Sequence, residues 1–188
     1  MTDKLHFTFR RAKPADAPRM MPLLNEYIRQ AEILPRTEED VCRSIREWVV
    51  AEAATTQLVG MGSLLVMSAN LAEIRSLVIH PNYHGQGIGR QIVRMLLDEA
   101  RMLDIERVIA LTRKPDFFMK LGFELTRLEK LPRKIRRDCV FCVKFHACDE
   151  VALTIHPEEI GLPDQPRAEK NGATPPSLAT ALAGSKSI

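Results

Sequence analysis

Three glycines at alternate positions constrain the fold of this chain more than any other feature of its sequence. They lie in the segment His84-Gly85-Gln86-Gly87-Ile88-Gly89-Arg90, which joins an extended pattern to a long helical one. Glycine adopts backbone conformations that other residues avoid, and the unpaired N–H groups at a helix start attract phosphate oxygens. The spacing matches neither the GxGxxG turn of dinucleotide-binding folds nor the GxxxxGK loop of nucleoside triphosphatases. The residues alone therefore leave two interpretations, a phosphate-binding turn or a plain structural helix cap.

The patterns around this segment predict an ordered series of strands and helices. Alternating or short apolar runs predict strands at residues 5–10, 48–52, 58–67, 71–80, 107–112, 123–128 and 151–155. Apolar residues at helical spacing predict four helices. The first follows Asp16, and the second begins at a Thr37/Asp40 capping box. The third has a buried stripe from Ile88 to Leu103, and the fourth occupies residues 115–121. The order βααβββαβαββ predicts an α/β or α+β domain around a mixed sheet.

Several motifs together resemble the GNAT superfamily of N-acetyltransferases. LAEIRSLVIHP, NYHGQGIGRQIV, RVIALT and FFMKLGFE follow one another as in that family's acetyl-CoA-binding core, and the likeness covers roughly residues 5–155. The resemblance implies the GNAT fold, a mixed and mostly antiparallel central sheet flanked by helices. It implies acetyl-CoA as co-substrate and no catalytic metal. Where the family usually has Arg or Gln at the first position of the glycine turn, this chain has His84, which can still donate a hydrogen bond.

The resemblance also implies which residues hold the coenzyme. The backbone of residues 77–79 is expected to receive the pantetheine arm and polarise the acetyl carbonyl, and the backbone amides of the glycine turn are expected to hold the pyrophosphate. The residues assigned in this way are Leu77, Val78, Ile79, His84, Gly85, Gln86, Gly87, Ile88, Gly89, Arg90 and Phe118.

Within the superfamily, the chain looks most like the bacterial N-acetylglutamate synthases. The segment ILPRTEEDVCRSIREWVVAE resembles the part that frames their amino-acid pocket, and IALTRKPDFFMKLGFE resembles their LT…FF…GF run. This resemblance implies transfer of acetyl to the α-amino group of L-glutamate, the first step of arginine biosynthesis. The amino-acid-kinase domain of the long synthases does not fit in 188 residues. We therefore expect a free-standing acetyltransferase domain.

Acetyl transfer to an amine needs a base for the nucleophile and a fate for the leaving thiolate. Glu73 is the predicted catalytic base, because it lies on the strand that runs beside the thioester in the family. The alternative is a simple ion pair with Arg75, since strict alternation places Glu73, Arg75, Leu77 and Ile79 on one strand face. Phe118 stands where many relatives have a Tyr that protonates the thiolate. Because Phe118 has no proton to donate, the thiolate must take its proton from water or leave unprotonated.

Positive charge is concentrated in one segment of the chain. The whole chain has a net charge of +3, whereas residues 130–146 contain six Lys or Arg and one Asp, a net charge of +5. This distribution argues against a nucleic-acid partner and predicts local attraction for an acidic acceptor. Because guanidinium groups bind carboxylates through two parallel hydrogen bonds, arginines are the expected clamps. The candidates are Arg36, Arg75, Arg113 and one of Arg133, Lys134 and Arg137, each of which is otherwise a solvated surface charge.

Composition divides the chain into a domain and a tail. Residues 157–188 contain five of the twelve prolines and no aromatic residue. Such a segment cannot bury enough apolar surface to offset the entropy of ordering it, so we expect a disordered tail. Residues 1–156 are then the acetyltransferase domain, a size that buries roughly 70% of the unfolded chain's surface.

Cysteine usage and hydropathy indicate an intracellular environment. The chain has four cysteines and neither a secretory signal nor an apolar run of about 18 residues. We expect reduced thiols, a cytoplasmic location and no membrane partner. The spacing of Cys139, Cys142, His146 and Cys148 also permits a structural zinc site, although the His-x-Cys pair is unusually tight. Cys42, on the predicted second helix, is expected to be a buried core residue.

Other functions remain compatible with the sequence. The enzyme could acetylate another small amine or a protein N-terminus. It could also be a non-catalytic acetyl-CoA-binding module, which the missing Tyr leaves open. GNAT domains frequently pair through their last strands, so a homodimer is possible.

Overall fold

Seven strands and four α-helices lie within residues 6–131, 139–142 and 147–159, the part of the chain that the computed structural model describes. The strands are β1 (Phe7–Arg11), β2 (Trp48–Ala53), β3 (Leu58–Ser68), β4 (Leu71–Ile79), β5 (Arg107–Thr112), β6 (Glu124–Leu125) and β7 (Val151–Ile155). The helices are α1 (Ala17–Arg29), α2 (Glu38–Arg43), α3 (Ile88–Met102) and α4 (Pro115–Met119). Every predicted element is present within a few residues of its expected bounds, and only β6 is markedly shorter than predicted.

The strands form one sheet in the order β1-β2-β3-β4-β5-β7-β6. All neighbouring strands are antiparallel except β4 and β5, which are parallel and joined through α3. A parallel pair needs a crossover connection, and the predicted long helix provides it. The prediction of a mixed, mostly antiparallel sheet flanked by helices is confirmed.

Helices cover both faces of the sheet and create two separate hydrophobic cores. On one face, Ile92 and Leu96 of α3 pack with Val49, Ala51 and Ile74. On the other face, the apolar side chains of α1 and α2 pack with Trp48, Val50, Met61 and Val78. Strand β4 is therefore packed on both faces by helices, whereas β5 places Val108 and Ala110 in the first core and Ile109 in a smaller cluster with Leu131 and Ala152.

A glycine on β3 allows α3 to approach the sheet closely. A Cβ atom at Gly60 would lie 2.8 Å from Ile79 Cδ1 and 2.9 Å from Ile88 Cγ2, closer than side chains tolerate. A larger residue there would force the side chains of Ile79 and Ile88 to move. The close packing of α3 on this part of the sheet therefore depends partly on this glycine.

The helix boundaries agree with the capping signals. The predicted burial is wrong for two helix residues, Leu103 and Cys42. Thr37 and Asp40 form the predicted capping box, in which each side chain accepts a backbone N–H of the other residue. Leu103, however, is the C-terminal cap of α3 and is 47% exposed, because the helix ends before another turn brings it to the sheet. Cys42 is exposed rather than buried, because Val41 takes the inward position of this short helix.

A buried carboxylate joins β1, β2 and the start of α1. Asp16 is 3% exposed and accepts hydrogen bonds from Arg10 Nη1 at 2.6 Å and from Arg19 Nη1 at 2.9 Å. Both arginines also contact Glu52 of β2. The Arg10 guanidinium, by hydrogen bonding, lowers the pKa of Asp16 to about 2.

The described fold continues three residues past the expected domain boundary. Residues Pro157–Glu159 form a 3-10 turn, and the Pro157 carbonyl accepts a hydrogen bond of 2.7 Å from Arg101 Nε. Residues 160–188, most of the predicted tail, lie outside the described residues. No helix in the described part of the chain has the length and apolar character that a membrane crossing requires.

Candidate active site

A cavity of about 510 Å³ opens where β4 and β5 separate. The two strands pair through Leu71–Arg107, Ala72–Val108 and Glu73–Ile109, and the described register ends there. The cavity walls come from the C-terminal halves of both strands, the glycine turn and the residues after α1. Predicted site residues that line it are Arg75, Leu77, Ile79, His84, Gly85, Gly87, Ile88, Gly89, Arg90, Arg113 and Phe118. The fold thus brings together residues that are distant in the sequence.

A bulge in β4 changes which side chains face the cavity. Met61 pairs with Val78 and Ser63 pairs with Arg75, so β4 contains one residue more than β3 over this stretch. Ser76 has a φ of 51°, a left-handed conformation that is rare for a residue with a side chain. Strained residues of this kind concentrate at functional sites.

The bulge overturns the expected single face of β4. Leu77 and Ile79 pack with Ile74 in the core beneath α3, whereas Val78 packs in the core beneath α1. Leu77 and Ile79 therefore lie on the face opposite to the one that strict alternation predicts. Val78 points away from the cavity and does not line it. Its predicted role rests on its backbone alone.

The glycine turn adopts the conformation that its sequence requires. Gly85 has a φ of 76° and Gly87 a φ of 80°, and Gly87 is the N-terminal cap residue of α3. With no side chain at the cap, the first N–H groups of α3 receive no side-chain partner from it. The Gln86 side chain does not line the cavity and donates to the Asn82 carbonyl instead. The turn leaves its backbone amides for a ligand.

Tyr27 is a site residue that the sequence did not reveal. Its hydroxyl donates to the Ile79 carbonyl at 2.6 Å, and His84 Nε2 lies 2.8 Å from the same oxygen. Burial raises the pKa of Tyr27, so its hydroxyl stays protonated. Helical spacing placed Tyr27 in the apolar stripe of α1. The available signal was its polar hydroxyl, since a buried Tyr usually needs a hydrogen-bond partner.

Two of the predicted arginine clamps line the cavity, and each has a carboxylate partner. Arg75 Nη2 lies 3.3 Å from Glu47, whereas Arg75 Nε is buried and has no hydrogen-bond partner among the described residues. Arg113 Nε lies 2.8 Å from Asp149, and this hydrogen bond raises the pKa of Arg113. Glu32, Lys114 and Glu150 also line the cavity, so it contains both signs of charge.

The third predicted clamp does not line the cavity but contacts its wall. Arg36 Nε donates to Ser76 Oγ at 3.1 Å, and its guanidinium lies 5.7 Å from the Trp48 ring centroid. Arg36 therefore supports the strained residue of the bulge. The remaining candidates, Arg133, Lys134 and Arg137, lie outside the described residues.

Glu73 and Phe118 occupy buried positions on either side of the strand opening. Glu73 is 2% exposed, belongs to the last β4–β5 pair and does not line the cavity. Phe118 is 5% exposed and makes edge-on contacts with the rings of Phe117 and Phe123, both at centroid distances of 5.1 Å. A phenyl ring cannot donate a proton, so Phe118 can only shape the cavity wall and exclude water from it.

The cysteines do not form a recognisable metal centre in the described part of the chain. None of the four is in a disulfide. Within residues 6–131, 139–142 and 147–159, no group of three or more His, Cys, Asp or Glu side chains is arranged to hold a metal ion. His146, the remaining member of the predicted cysteine and histidine set, lies outside those residues.

The sequence is similar to a known protein family and to individual proteins with related descriptions. The model of the acetyltransferase (GNAT) family matches residues 16–123. An uncharacterized N-acetyltransferase of Chlorobaculum tepidum is 33% identical over 144 residues, covering 77% of this chain and 92% of the relative. The amino-acid acetyltransferase of Mycobacterium tuberculosis is 35% identical over 125 residues, covering 65% of this chain and 70% of the relative.

A solved structure shares both fold and sequence with the chain. It is a Mycobacterium tuberculosis protein crystallised in complex with CoA and a second ligand. The TM-score is 0.68 at 27% identity, and the match covers 79% of this chain and 98% of the other.

Proposed function

The chain belongs to the acetyltransferase (GNAT) family, and we propose that it transfers the acetyl group of acetyl-CoA to the α-amino group of L-glutamate. Acetyl-CoA-dependent N-acetylation is the activity of the family. The acceptor is the proposed part, together with a place at the first step of arginine biosynthesis. The observation that carries it is Arg75, a guanidinium on the cavity wall whose buried Nε–H has no hydrogen-bond partner in the described part of the chain.

The coenzyme has a matching place on the cavity wall. The glycine turn and the start of α3 present backbone N–H groups and the positive end of a helix dipole, which suit the pyrophosphate. Beyond the Glu73–Ile109 pair, the β5 side of β4 has no described strand partner, so backbone of residues 77–79 can receive the pantetheine arm there, apart from the Ile79 carbonyl, which accepts from Tyr27. The CoA complex of the Mycobacterium tuberculosis structure supports this assignment.

The reaction needs few groups from the protein. The neutral amine attacks the thioester carbonyl, a C–N bond forms, and the C–S bond breaks to release the CoA thiolate. Glu73 takes the proton of the amine, and because its side chain does not line the cavity, a bridging water must carry that proton. With Phe118 at the leaving-group wall, the thiolate takes its proton from solvent.

The acceptor's two carboxylates need cationic partners on the cavity wall. Arg75 offers Nε–H, a donor whose burial without a partner costs free energy until a ligand accepts from it. Arg113 lies across the strand opening and is already oriented by Asp149 and by the Ala31 carbonyl. Arg36, Lys134 and Arg137 stay candidate contributors, the first through its bond to Ser76.

A second acceptor class has support from a specific observation. Glu32 and Glu150 line the same cavity, and carboxylates there favour an amine that carries extra positive charge. The alternative function is acetylation of another small amine or of a protein N-terminus. A module that binds acetyl-CoA without turnover is the non-enzymatic alternative.

The test is coenzyme release measured as free thiol with a panel of acceptors. We expect turnover with millimolar L-glutamate to exceed turnover with L-glutamine, L-lysine, spermidine and an N-terminal peptide. Turnover with a cationic amine alone favours the second candidate, and coenzyme binding without turnover on any amine favours the binding module.

A matched pair of arginine variants tests the clamp. Arg75→Lys keeps the charge but removes the Nε–H, so we expect the KM for glutamate to rise about tenfold with little change in the KM for acetyl-CoA. Arg43→Lys changes an exposed arginine of α2, 70% exposed at its side chain, and serves as the control. An unchanged KM for glutamate in Arg75→Lys contradicts the clamp.

A further inference from the structure

Glu47 lies in a short turn that leads into β2 and is anchored on both sides. It is the last residue of the 3-10 turn Ile45–Glu47 and directly precedes Trp48, which is fully buried. The Glu47 N–H donates to the Ser44 carbonyl at 2.9 Å, and the Trp48 indole Nε1–H donates to the Ser44 hydroxyl at 3.2 Å. The backbone that carries the Glu47 side chain is therefore held in place before any ligand binds.

The register of the sheet brings this turn beside Arg75. Trp48 of β2 pairs with Ser63 of β3, and Ser63 pairs with Arg75 of β4, so these three residues form one row across the sheet. Glu47 precedes the first residue of that row, and its Oε2 lies 3.3 Å from Arg75 Nη2. The Arg75 side chain is 16% exposed and the Glu47 side chain 29%, so solvent has limited access to the pair.

This contact restricts the direction of the other N–H groups of Arg75. A guanidinium group is planar and rigid, so its N–H groups cannot turn independently of one another. Holding Nη2 against Glu47 therefore also orients the Nε–H bond. That Nε is buried without a hydrogen-bond partner in the described part of the chain, and Arg75 lines the cavity. Glu47 thus orients the donor on which the proposed clamp depends.

We propose that Glu47 is a positioning residue for the acceptor, which holds the Arg75 guanidinium so that its Nε–H can bind an acceptor carboxylate. This inference rests on the proposed transfer of acetyl to L-glutamate. Glu47 does not line the cavity itself, so it acts through Arg75. Because the guanidinium is held in advance, less side-chain entropy is lost when the acceptor binds.

The contact leaves room for the acceptor on the same guanidinium. Nε–H and one N–H of Nη2 share an edge on which a single carboxylate can accept from both groups. Glu47 contacts Nη2 but not Nε, so it does not occupy that whole edge. The opposite interpretation is that Glu47 competes with the acceptor carboxylate for Arg75 and offsets its charge. The two interpretations predict opposite changes in the KM for L-glutamate.

Two substitutions at Glu47 separate orientation from charge. Glu47→Gln removes the charge but keeps an oxygen that accepts from Arg75 Nη2, whereas Glu47→Ala removes both. We expect Glu47→Ala to raise the KM for L-glutamate about tenfold with little change in the KM for acetyl-CoA, and Glu47→Gln to stay within about threefold of the parent. Steady-state thiol release, with each substrate varied in turn, measures these constants. Glu38→Ala, at an exposed position of α2, is the control.

A double-mutant cycle tests whether Glu47 acts through Arg75. Arg75→Lys has no Nε–H to orient, so adding Glu47→Ala to it should raise the KM for L-glutamate no further. If Glu47→Ala does not fold, Glu47→Asp takes its place, because its shorter side chain withdraws the oxygen from Nη2. An equal effect of the Glu47 substitution in the parent and in Arg75→Lys overturns the inference.

The remaining outcomes distinguish this inference from the proposed function. A lower KM for L-glutamate in Glu47→Ala and Glu47→Gln identifies a competing carboxylate. An unchanged KM in Glu47→Ala, or an equal rise in both variants, also excludes a role in orientation. Each of these results overturns the inference and leaves glutamate acetylation standing. Absence of turnover with L-glutamate in the parent protein overturns both.

Discussion

Glu73 combines almost complete burial with a position at the point where β4 and β5 separate. Its isosteric replacement by Gln removes the base while preserving volume. We predict that Glu73→Gln lowers kcat at least about 100-fold, the contribution typical of general base catalysis, with an unchanged Kd for CoA. Steady-state thiol release and calorimetry measure the two quantities.

A surface carboxylate provides the control for this change. Glu106 is exposed before β5, and Glu106→Gln should retain full activity. If Glu73→Gln is as active as Glu106→Gln across pH 6 to 9, Glu73 is a structural residue and the base lies elsewhere.

Ser76 is the other residue whose conformation bears directly on the site. With φ at 51°, a β-branched side chain there is strongly disfavoured, whereas glycine is not. We predict that Ser76→Val lowers the free energy of unfolding by about 1–3 kcal/mol and weakens coenzyme binding. Ser76→Gly should stay within about 1 kcal/mol of the parent, because relief of strain offsets the lost Arg36 hydrogen bond.

Urea unfolding of the two variants measures the difference. Equal stability of Ser76→Val and Ser76→Gly would mean that the backbone at the bulge is not strained.

Elements were the level at which sequence patterns predicted most. The strand and helix bounds, the Thr37 capping box and the glycine turn all follow from spacing and local hydrogen bonding. The bulge at Ser76 did not follow from them. One extra residue interrupts the alternation of β4, and nothing in the sequence around Ser76 signals that residue. The bulge shows only in the pairing of β4 with β3, which a pattern within β4 does not contain.

The junction of β1, β2 and α1 should be sensitive to acid. The pKa of Asp16 is about 2, lowered from 3.8 by Arg10. Its stabilisation is therefore complete above pH 3.8 and is lost as pH falls through about 2, amounting to about 2 kcal/mol. We predict that Asp16→Asn loses this amount at pH 7 and depends less on pH between 5 and 2.

Urea unfolding at a series of pH values tests this junction. Glu129→Gln, at an exposed position, is the control and should follow the parent curve. If the curves of Asp16→Asn and the parent stay parallel down to pH 2, the buried carboxylate is not the source of the acid sensitivity.

The residues just past β7 are expected to contribute to the stability of the whole domain. Pro157 is buried and bonded to Arg101, whereas residues 160–188, which lie outside the described part of the chain, contain four prolines and no aromatic residue. We predict that a chain ending after Glu159 keeps the stability and activity of the full chain. A chain ending after Ile155 should lose about 1–2 kcal/mol through the missing hydrogen bond and burial.

Thermal unfolding and thiol release compare the two truncated chains with the full one. Loss of activity on removing residues 160–188 would assign the tail a role that its composition does not suggest. Equal stability of both truncated chains would place the domain boundary at residue 155.

Sequence by itself determined the fold class, the order of elements and the conformation of the glycine turn, because these depend on local periodicity and on glycines with few alternatives. Only the tertiary structure decided which side chains meet. Glycines in β3 let α3 approach, a bulge turned Leu77 and Ile79 to the other face, and packing of α1 brought Tyr27 to the Ile79 carbonyl beside His84. These contacts join residues up to 57 positions apart, and a local pattern contains no information on such distances.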